Sequence, residues 1–137
     1  MLTLLPTLLL IPAMFMAQSG TSLASLKNNH RALLVFAPSD QNPSFQQQMN
    51  ILTAHTHEMQ DRDLLALPMV TTTEQDQQQR DLRHRFHVPP ERFMVILIGK
   101  DGSEKLRRDI PLTAEQLEQT IDAMPMRKDE IRQRSNP

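Results

Sequence analysis

Ala32-Leu33-Leu34-Val35-Phe36-Ala37 is an unbroken apolar run stopped by Pro38. So short a run, rich in strand formers, reads as a β-strand buried on both faces. A polar lead-in, Lys27 to Arg31, precedes it, and the loop Ser39-Asp40-Gln41-Asn42 follows it. Asn42 is placed to cap a helix that has Pro43 at its first position. Phe45, Met49, Leu52, Thr56 and Met59 then recur at helical spacing and give one largely apolar stripe. Leu64 to Val70 is a second strand, and Pro68 within it cannot donate a ladder hydrogen bond, which places it at a sheet edge. Strand, helix, strand requires a crossover, so the two strands pair in parallel.

Thr73 to Phe86 reads as a polar helix ended by Pro89-Pro90. Only Leu82 and Phe86 give it an inward face, so it is expected to be short and weakly held. Phe93 to Ile98 is apolar throughout and reads as a second central strand. Lys100-Asp101-Gly102-Ser103 is a tight-turn signal, since Asp-Gly tolerates positive φ. Glu104 to Ile110 alternates poorly and is charged, as a solvent-facing edge strand would be. Thr113 and Gln116 form a capping box, with Leu112 and Leu117 as the hydrophobic staple around it. Leu117, Ile121 and Met124 continue that helix to Pro125. The Gln triplets at 46–48 and 77–79 read as exposed helix faces, and Met126 to Pro137 reads as a highly charged, frayed tail.

The 137 residues allow one domain. Trp and Tyr are absent, so the core rests on Leu, Ile, Val, Met and five Phe. A formal net charge of −1 gives no global pull toward nucleic acid or an anionic membrane. Met1 to Ala17 carries no charged side chain and is dense in Leu, Ile, Met and Phe. As a helix it would reach about 24 Å, short of a hydrocarbon core of about 30 Å, and Pro6 and Pro12 would interrupt it. Ala17, Ser19, Gly20, Ser22 and Ala24 follow, which is the order of a secretory signal, although the n-region has no Lys or Arg. Cleavage after Ser19 and cleavage after Ala24 both fit. The expected organisation is a signal peptide over 1–24 and one domain over 25–137, with its core at about 28–125 and the charged tail at 126–137. A periplasmic or secreted location follows, with no stable membrane span once the signal is removed.

The order βαβ, helix, ββα is the minimal thioredoxin-like order: α/β, a four-stranded mixed sheet, helices on both faces. The segments "RALLVFAPSDQ", "FMVILIGKDGSEKLR" and "PLTAEQLEQTIDAMPMR" resemble the domain shared by bacterial exported proteins of unknown function and the vertebrate sushi-repeat matrix proteins. The resemblance covers about residues 28–130. It implies a thioredoxin- or peroxiredoxin-like fold and an exported location, and it implies no established activity.

Thioredoxin-like enzymes place a reactive cysteine in the loop after the first strand, at a helix N-terminus that lowers the thiol pKa. The chain has no cysteine, so no side chain of Ser39-Asp40-Gln41-Asn42-Pro43-Ser44 can carry disulfide exchange or peroxide reduction. Those enzymes also place a cis-proline just before the third strand; the equivalent position here is about Phe93, with Pro89 and Pro90 too far upstream. A serine hydroxyl at 39 or 44 is no substitute, since it needs a base and an oxyanion site. Turn and cap chemistry accounts for Ser39, Asp40 and Asn42. If a ligand or partner site persists at the thioredoxin position, it is Ser39, Asp40 and Gln41.

His55/His57 and His84/His87 are paired in sequence. His84 and His87 could meet on a helix, whereas His55 and His57 diverge on one. With no cysteine and no HExxH pattern, no metal ligand and no cofactor is assigned, and surface histidines account for both pairs. The methionines of the domain fall mostly on apolar segments and read as core. Arg80, Arg83, Arg85 and Arg92, and Lys100, Lys105, Arg107 and Arg108, cluster in sequence, and the candidate basic surface is Lys105, Arg107 and Arg108. Interspersed acids make a salt-bridged surface the ordinary account, and without interleaved aromatics nucleic-acid stacking is unsupported. Two classes of function follow: a non-catalytic binding or interaction module for a protein or small ligand, and, as the alternative, a non-thiol enzyme or a periplasmic copper-handling protein.

Overall fold

The computed structural model describes residues 22–70 and 77–136. In chain order these form α1 (Leu23–Leu26), β1 (Arg31–Ala37), α2 (Pro43–Ala54), α3 (Thr56–Asp61), β2 (Leu64–Val70), α4 (Gln77–Arg85), β3 (Met94–Ile98), β4 (Glu104–Arg108), α5 (Ala114–Asp122) and α6 (Pro125–Ser135). Residues 1–21 of the candidate signal segment and the first residues of the expected polar helix, 73–76, lie outside the described residues, while residues 22–24 belong to the cap and start of α1. No helix among the described residues is long and apolar enough to cross a membrane.

Every residue of β1 is buried, which is what its continuous apolar run requires. The sheet runs β2-β1-β3-β4, with β1 parallel to β2 and antiparallel to β3, and β4 antiparallel on β3. Leu34 therefore lies between Leu67 of β2 and Ile96 of β3. Pro68 sits on edge strand β2, opposite Val35. Alternation splits the core in two. Leu33, Val35, Val95 and Leu97 pack with Met49, Leu52, Met59, Leu117 and Ile121 of α2, α3 and α5. Leu34, Phe36, Ile96 and Ile98 pack with Leu26 of α1 and with Leu82, Phe86 and Val88 in and just after α4. The result is the thioredoxin-like α/β architecture, a mixed four-stranded sheet covered on both faces.

The caps fall where the sequence places them. Asn42 Oδ1 accepts from the Phe45 N–H at 3.0 Å, with Pro43 next to it at the helix start. Thr113 and Gln116 bond reciprocally at 3.1 and 2.9 Å, above buried Leu112 and Leu117. In the turn after β3, Gly102 takes φ 81°, and a Cβ on Gly99 would lie 2.6 Å from Lys105 Cε. Glycine is needed at Gly102 for backbone freedom, whereas at Gly99 the approach is to the end of a flexible lysine.

Four features differ from the sequence reading. The stripe from Phe45 to Met59 spans two helices, not one, broken at His55 (φ −121°, ψ 32°). Thr56 Oγ1 donates to the Thr53 carbonyl at 2.8 Å, and the Ile51 carbonyl lies 3.0 Å from His55 Nδ1. Side chains there compete for the backbone acceptors of the helix. Gln48, expected on an exposed face, is fully buried: its amide donates to the Leu112 carbonyl at 3.1 Å and accepts the Leu112 N–H at 2.7 Å. Strand β4 alternates poorly because it carries a bulge: Ile98 opposes Glu104 while Leu97 opposes Leu106, leaving Lys105 unmatched.

The fourth difference is the tail, which forms α6 instead of fraying. Its attachment is ionic. Glu130 accepts from Lys100 at 2.6 Å and from Arg31, a fully buried side chain, at 3.1 Å. Buried Arg127 donates to Asp61 at 2.9 Å and Asp122 at 3.1 Å, and Arg62 reaches Asp122 at 2.8 Å. Burial alone would raise the Glu130, Asp61 and Asp122 carboxyls, but hydrogen bonds from these cations outweigh it and hold all three below their ordinary values.

Replacing Ile96 with Asp buries an unpaired carboxylate in a central strand and is expected to cost about 4 kcal/mol or more, enough to unfold the domain. Arg108→Asp, at an exposed edge position, leaves the melting temperature near wild type. Equal loss in the two variants, read by thermal denaturation, would contradict the strand order.

Because the three carboxyls titrate lower when folded, their contribution is present above their ordinary values of 3.8 (Asp) and 4.5 (Glu) and is lost as pH falls through the folded values. Acid titration by circular dichroism should therefore show stability falling below about pH 4. Glu130→Ala, which leaves Arg31 buried without a carboxylate, should cost about 3 kcal/mol at neutral pH. A variant as stable as wild type would show that α6 is held by other means.

Candidate functional site

Strand β1 ends at Ala37, and the chain leaves the core through Pro38 into the loop singled out in the sequence. Asn42 is used by the fold: its side chain caps α2 and its N–H donates to the Ser39 carbonyl at 3.3 Å. Ser39 is half-buried, and its hydroxyl makes no hydrogen bond among the described residues. Asp40 and Gln41 are exposed. The Gln41 amide touches the Asp40 carboxylate at 3.5 Å, and Gln46 donates to the Asp40 backbone carbonyl at 3.3 Å. The three residues follow β1 at the carboxyl ends of β1 and β2, and among the described residues none of their side chains hydrogen-bonds to another element of the fold. In doubly wound sheets that end of the strands is the usual place for a ligand.

Beneath this loop lies a residue the sequence did not single out as special. Arg83 of α4 is buried, 7% exposed, and its Nη2 donates to the Met69 carbonyl at 2.7 Å and the Ala37 carbonyl at 3.3 Å. It therefore ties the end of β2 to the end of β1. Its guanidinium also lies 5.3 Å from the centre of the Phe36 ring. Burial pulls its pKa below the ordinary value. Nη1 is buried and has no hydrogen-bond partner. No signal in the sequence separates Arg83 from its exposed neighbours Arg80 and Arg85; only its place beside Leu82 brings it to the inner face.

Helix α4 closes with an uncommon turn. His87 takes φ 56°, the left-handed conformation that helix ends normally give to glycine. The Val88 N–H donates to the Arg83 carbonyl at 2.9 Å and the His87 N–H to the His84 carbonyl at 3.3 Å, while Arg107 Nη1 donates to the Phe86 carbonyl at 2.7 Å. A side chain held there costs about 1 kcal/mol. The turn brings His84 and His87 to one cleft of about 450 Å³, lined by Arg80, Arg83, His84, His87, Val88, Pro89 and Pro90. His55, by contrast, is engaged with the Ile51 carbonyl on the other layer. Among the described residues no group of three or more His, Cys, Asp or Glu is arranged to hold a metal ion.

Lys105, Arg107 and Arg108 differ in their partners. Lys105, at the bulge, pairs with Asp101 at 2.8 Å. That hydrogen bond, with those from the Ser103 backbone and hydroxyl, holds the Asp101 carboxyl well below its usual range. Arg107 pairs with Glu104 at 2.6 Å and reaches the end of α4, so it joins the hairpin to that helix instead of facing water. Arg108 is exposed. A smaller cavity of about 190 Å³ at the opposite end of β1 is lined by Arg31, Lys100, Asp101 and Lys105, among others. Each cation there already has a carboxylate.

Chemically, the loop end offers hydroxyl, carboxylate and amide groups near a buried cation and, in a chain without cysteine, no thiol. Solved structures share the fold at low identity. The reduced 2-Cys peroxiredoxin of Plasmodium vivax is 12% identical, with a TM-score of 0.59 over 78% of this chain and 84% of that one. Reduced desulfothioredoxin from Desulfovibrio vulgaris Hildenborough is 9% identical, with a TM-score of 0.56 over 80% and 95%. A thioredoxin-fold protein from Helicobacter pylori is 12% identical, with a TM-score of 0.55 over 76% and 74%. No curated protein matches the sequence. The family model of a domain of unknown function, DUF4174, matches residues 22–130, from the residue that caps α1 to the glutamate that anchors α6, and the chain belongs to that family.

Proposed function

We propose that the protein is an exported, non-catalytic binding module that engages a protein or small ligand through Ser39, Asp40 and Gln41. One observation carries this reading. The loop where thioredoxin-like enzymes keep their thiol holds polar side chains that the fold does not use, at the carboxyl ends of the strands, in a chain without cysteine. Export is supported by the apolar run Met1 to Ala17 with small residues after it, and by the resemblance to exported bacterial proteins and sushi-repeat matrix proteins. Nucleic acid is not a partner in this reading.

Cleavage after Ser19 fits the folded domain better than cleavage after Ala24. Ser22 caps α1, and Leu23 packs against the core layer of Leu26 and Phe86. Mass spectrometry of the mature protein should find an N-terminus at Gly20. Intact Met1 on soluble cytoplasmic protein would end the export reading.

A photo-crosslinker at Gln41 should give a partner adduct that a probe at Gln119, exposed on α5, does not give. Ser39→Ala combined with Asp40→Ala should abolish that adduct and leave the melting temperature unchanged, since neither side chain supports the fold. Asn42→Ala, which removes a cap, should instead cost about 1 kcal/mol. An undiminished adduct on the folded double variant would move the site away from this loop.

A further inference from the structure

Three arginines are buried: Arg31, Arg83 and Arg127. Arg31 and Arg127 each meet a carboxylate. Arg83 meets none among the described residues: its Nη2 bonds only the neutral carbonyls of Ala37 and Met69, its plane lies over Phe36, and its Nη1 is buried without a partner. A buried guanidinium that is neither paired nor fully hydrogen-bonded is costly, and an anion bound nearby would offset that cost.

The cleft that Arg83 lines has the matching character. Arg80, His84 and His87 stand exposed at its rim, and among the described residues no Asp or Glu lines it. Arg80 also donates to Gln77. The carbonyls at the end of α4, which would otherwise repel an anion, are occupied by the Val88 and His87 N–H groups and by Arg107. The opposite wall is Val88, Pro89 and Pro90, which is apolar. A buried guanidinium behind the lining, imidazoles at the rim and an apolar wall favour a carboxylate carried on an apolar group over a naked, strongly hydrated phosphate.

We infer that the cleft between the end of α4 and Val88-Pro89-Pro90 binds a carboxylate attached to an apolar group, with Arg83 supplying the charge from beneath and Arg80, His84 and His87 the rim. The inference deepens the binding reading above. Arg83 bonds Ala37, two residues before Ser39, so a ligand in the cleft would adjoin the proposed loop.

The test uses the ¹⁵N-labelled protein and four probes: phenylacetate, acetate, inorganic phosphate and benzyl alcohol. Phenylacetate is expected to shift the His84, His87 and Val88 amide signals saturably. Acetate, phosphate and neutral benzyl alcohol should each bind about tenfold more weakly or worse. No saturable shift, or equal binding of benzyl alcohol, would overturn the anion site; a preference for phosphate would overturn the carboxylate assignment. Arg83→Met should abolish binding, but it also unties the ends of β1 and β2. His84→Glu therefore serves as the second variant: it is exposed, keeps the Arg83 bonds, and sets a carboxylate at the rim. It should weaken phenylacetate binding about tenfold with an unchanged melting temperature, and unweakened binding would sink the proposal. The Ser39→Ala/Asp40→Ala double variant separates the two readings. If it keeps phenylacetate binding and also keeps its partner adduct, the loop reading fails and the cleft stands. If wild type does not bind phenylacetate while the double variant loses the adduct, only the cleft fails.

Discussion

The structure depends on the burial of one strand. Strand β1 has no solvent-exposed residue, so its backbone must be paired on both sides and its side chains covered on both faces. Strands β2 and β3 meet the first demand, and the two helical layers meet the second. The strand's ends pose a further problem, since the sheet brings charge there. Arg31 at the start is neutralised by Glu130 from the last helix. At the finish, the Ala37 carbonyl is held by a guanidinium that has no carboxylate partner among the described residues. Among the described residues, the charge is thus paired at one end of the central strand and unpaired at the other.

Much of the architecture could be read from the chain because it rests on local signals. Ala32 to Ala37 and Phe93 to Ile98 are too short and too apolar to be anything but interior strands. Pro68 marks an edge, and Asn42-Pro43 and Thr113/Gln116 mark helix starts. Each is a statement about a few adjacent residues, and the structure bears each out. The features that escaped depend on partners far along the chain. Helix α6 is mostly charged and has a weak apolar face, so nothing nearby in sequence says that Arg127 will meet Asp61 or that Glu130 will meet Arg31. Gln48 resembles Gln46 and Gln47 in every local respect, and only the return of the chain at Leu112 makes it a buried clasp.

The same limit governs the site. The loop Ser39–Gln41 was legible because the fold class itself places it. Arg83 was not, since an arginine between Leu82 and His84 looks like any other in a basic helix until the ends of β1 and β2 are seen to converge on it. The candidate basic surface shows the converse. Lys105, Arg107 and Arg108 are neighbours in sequence, yet a one-residue bulge and an ion pair for each of the first two send them to different tasks.

The contact between Arg31 and Glu130 joins residues 99 apart in the chain. A polypeptide that emerges from its amino end therefore presents its central strand long before it presents the group that neutralises that strand's first side chain. Until then, complete burial of β1 carries an unpaired charge, and the partly emerged chain has reason to remain loose. The last helix is therefore what makes the burial of β1 electrically complete.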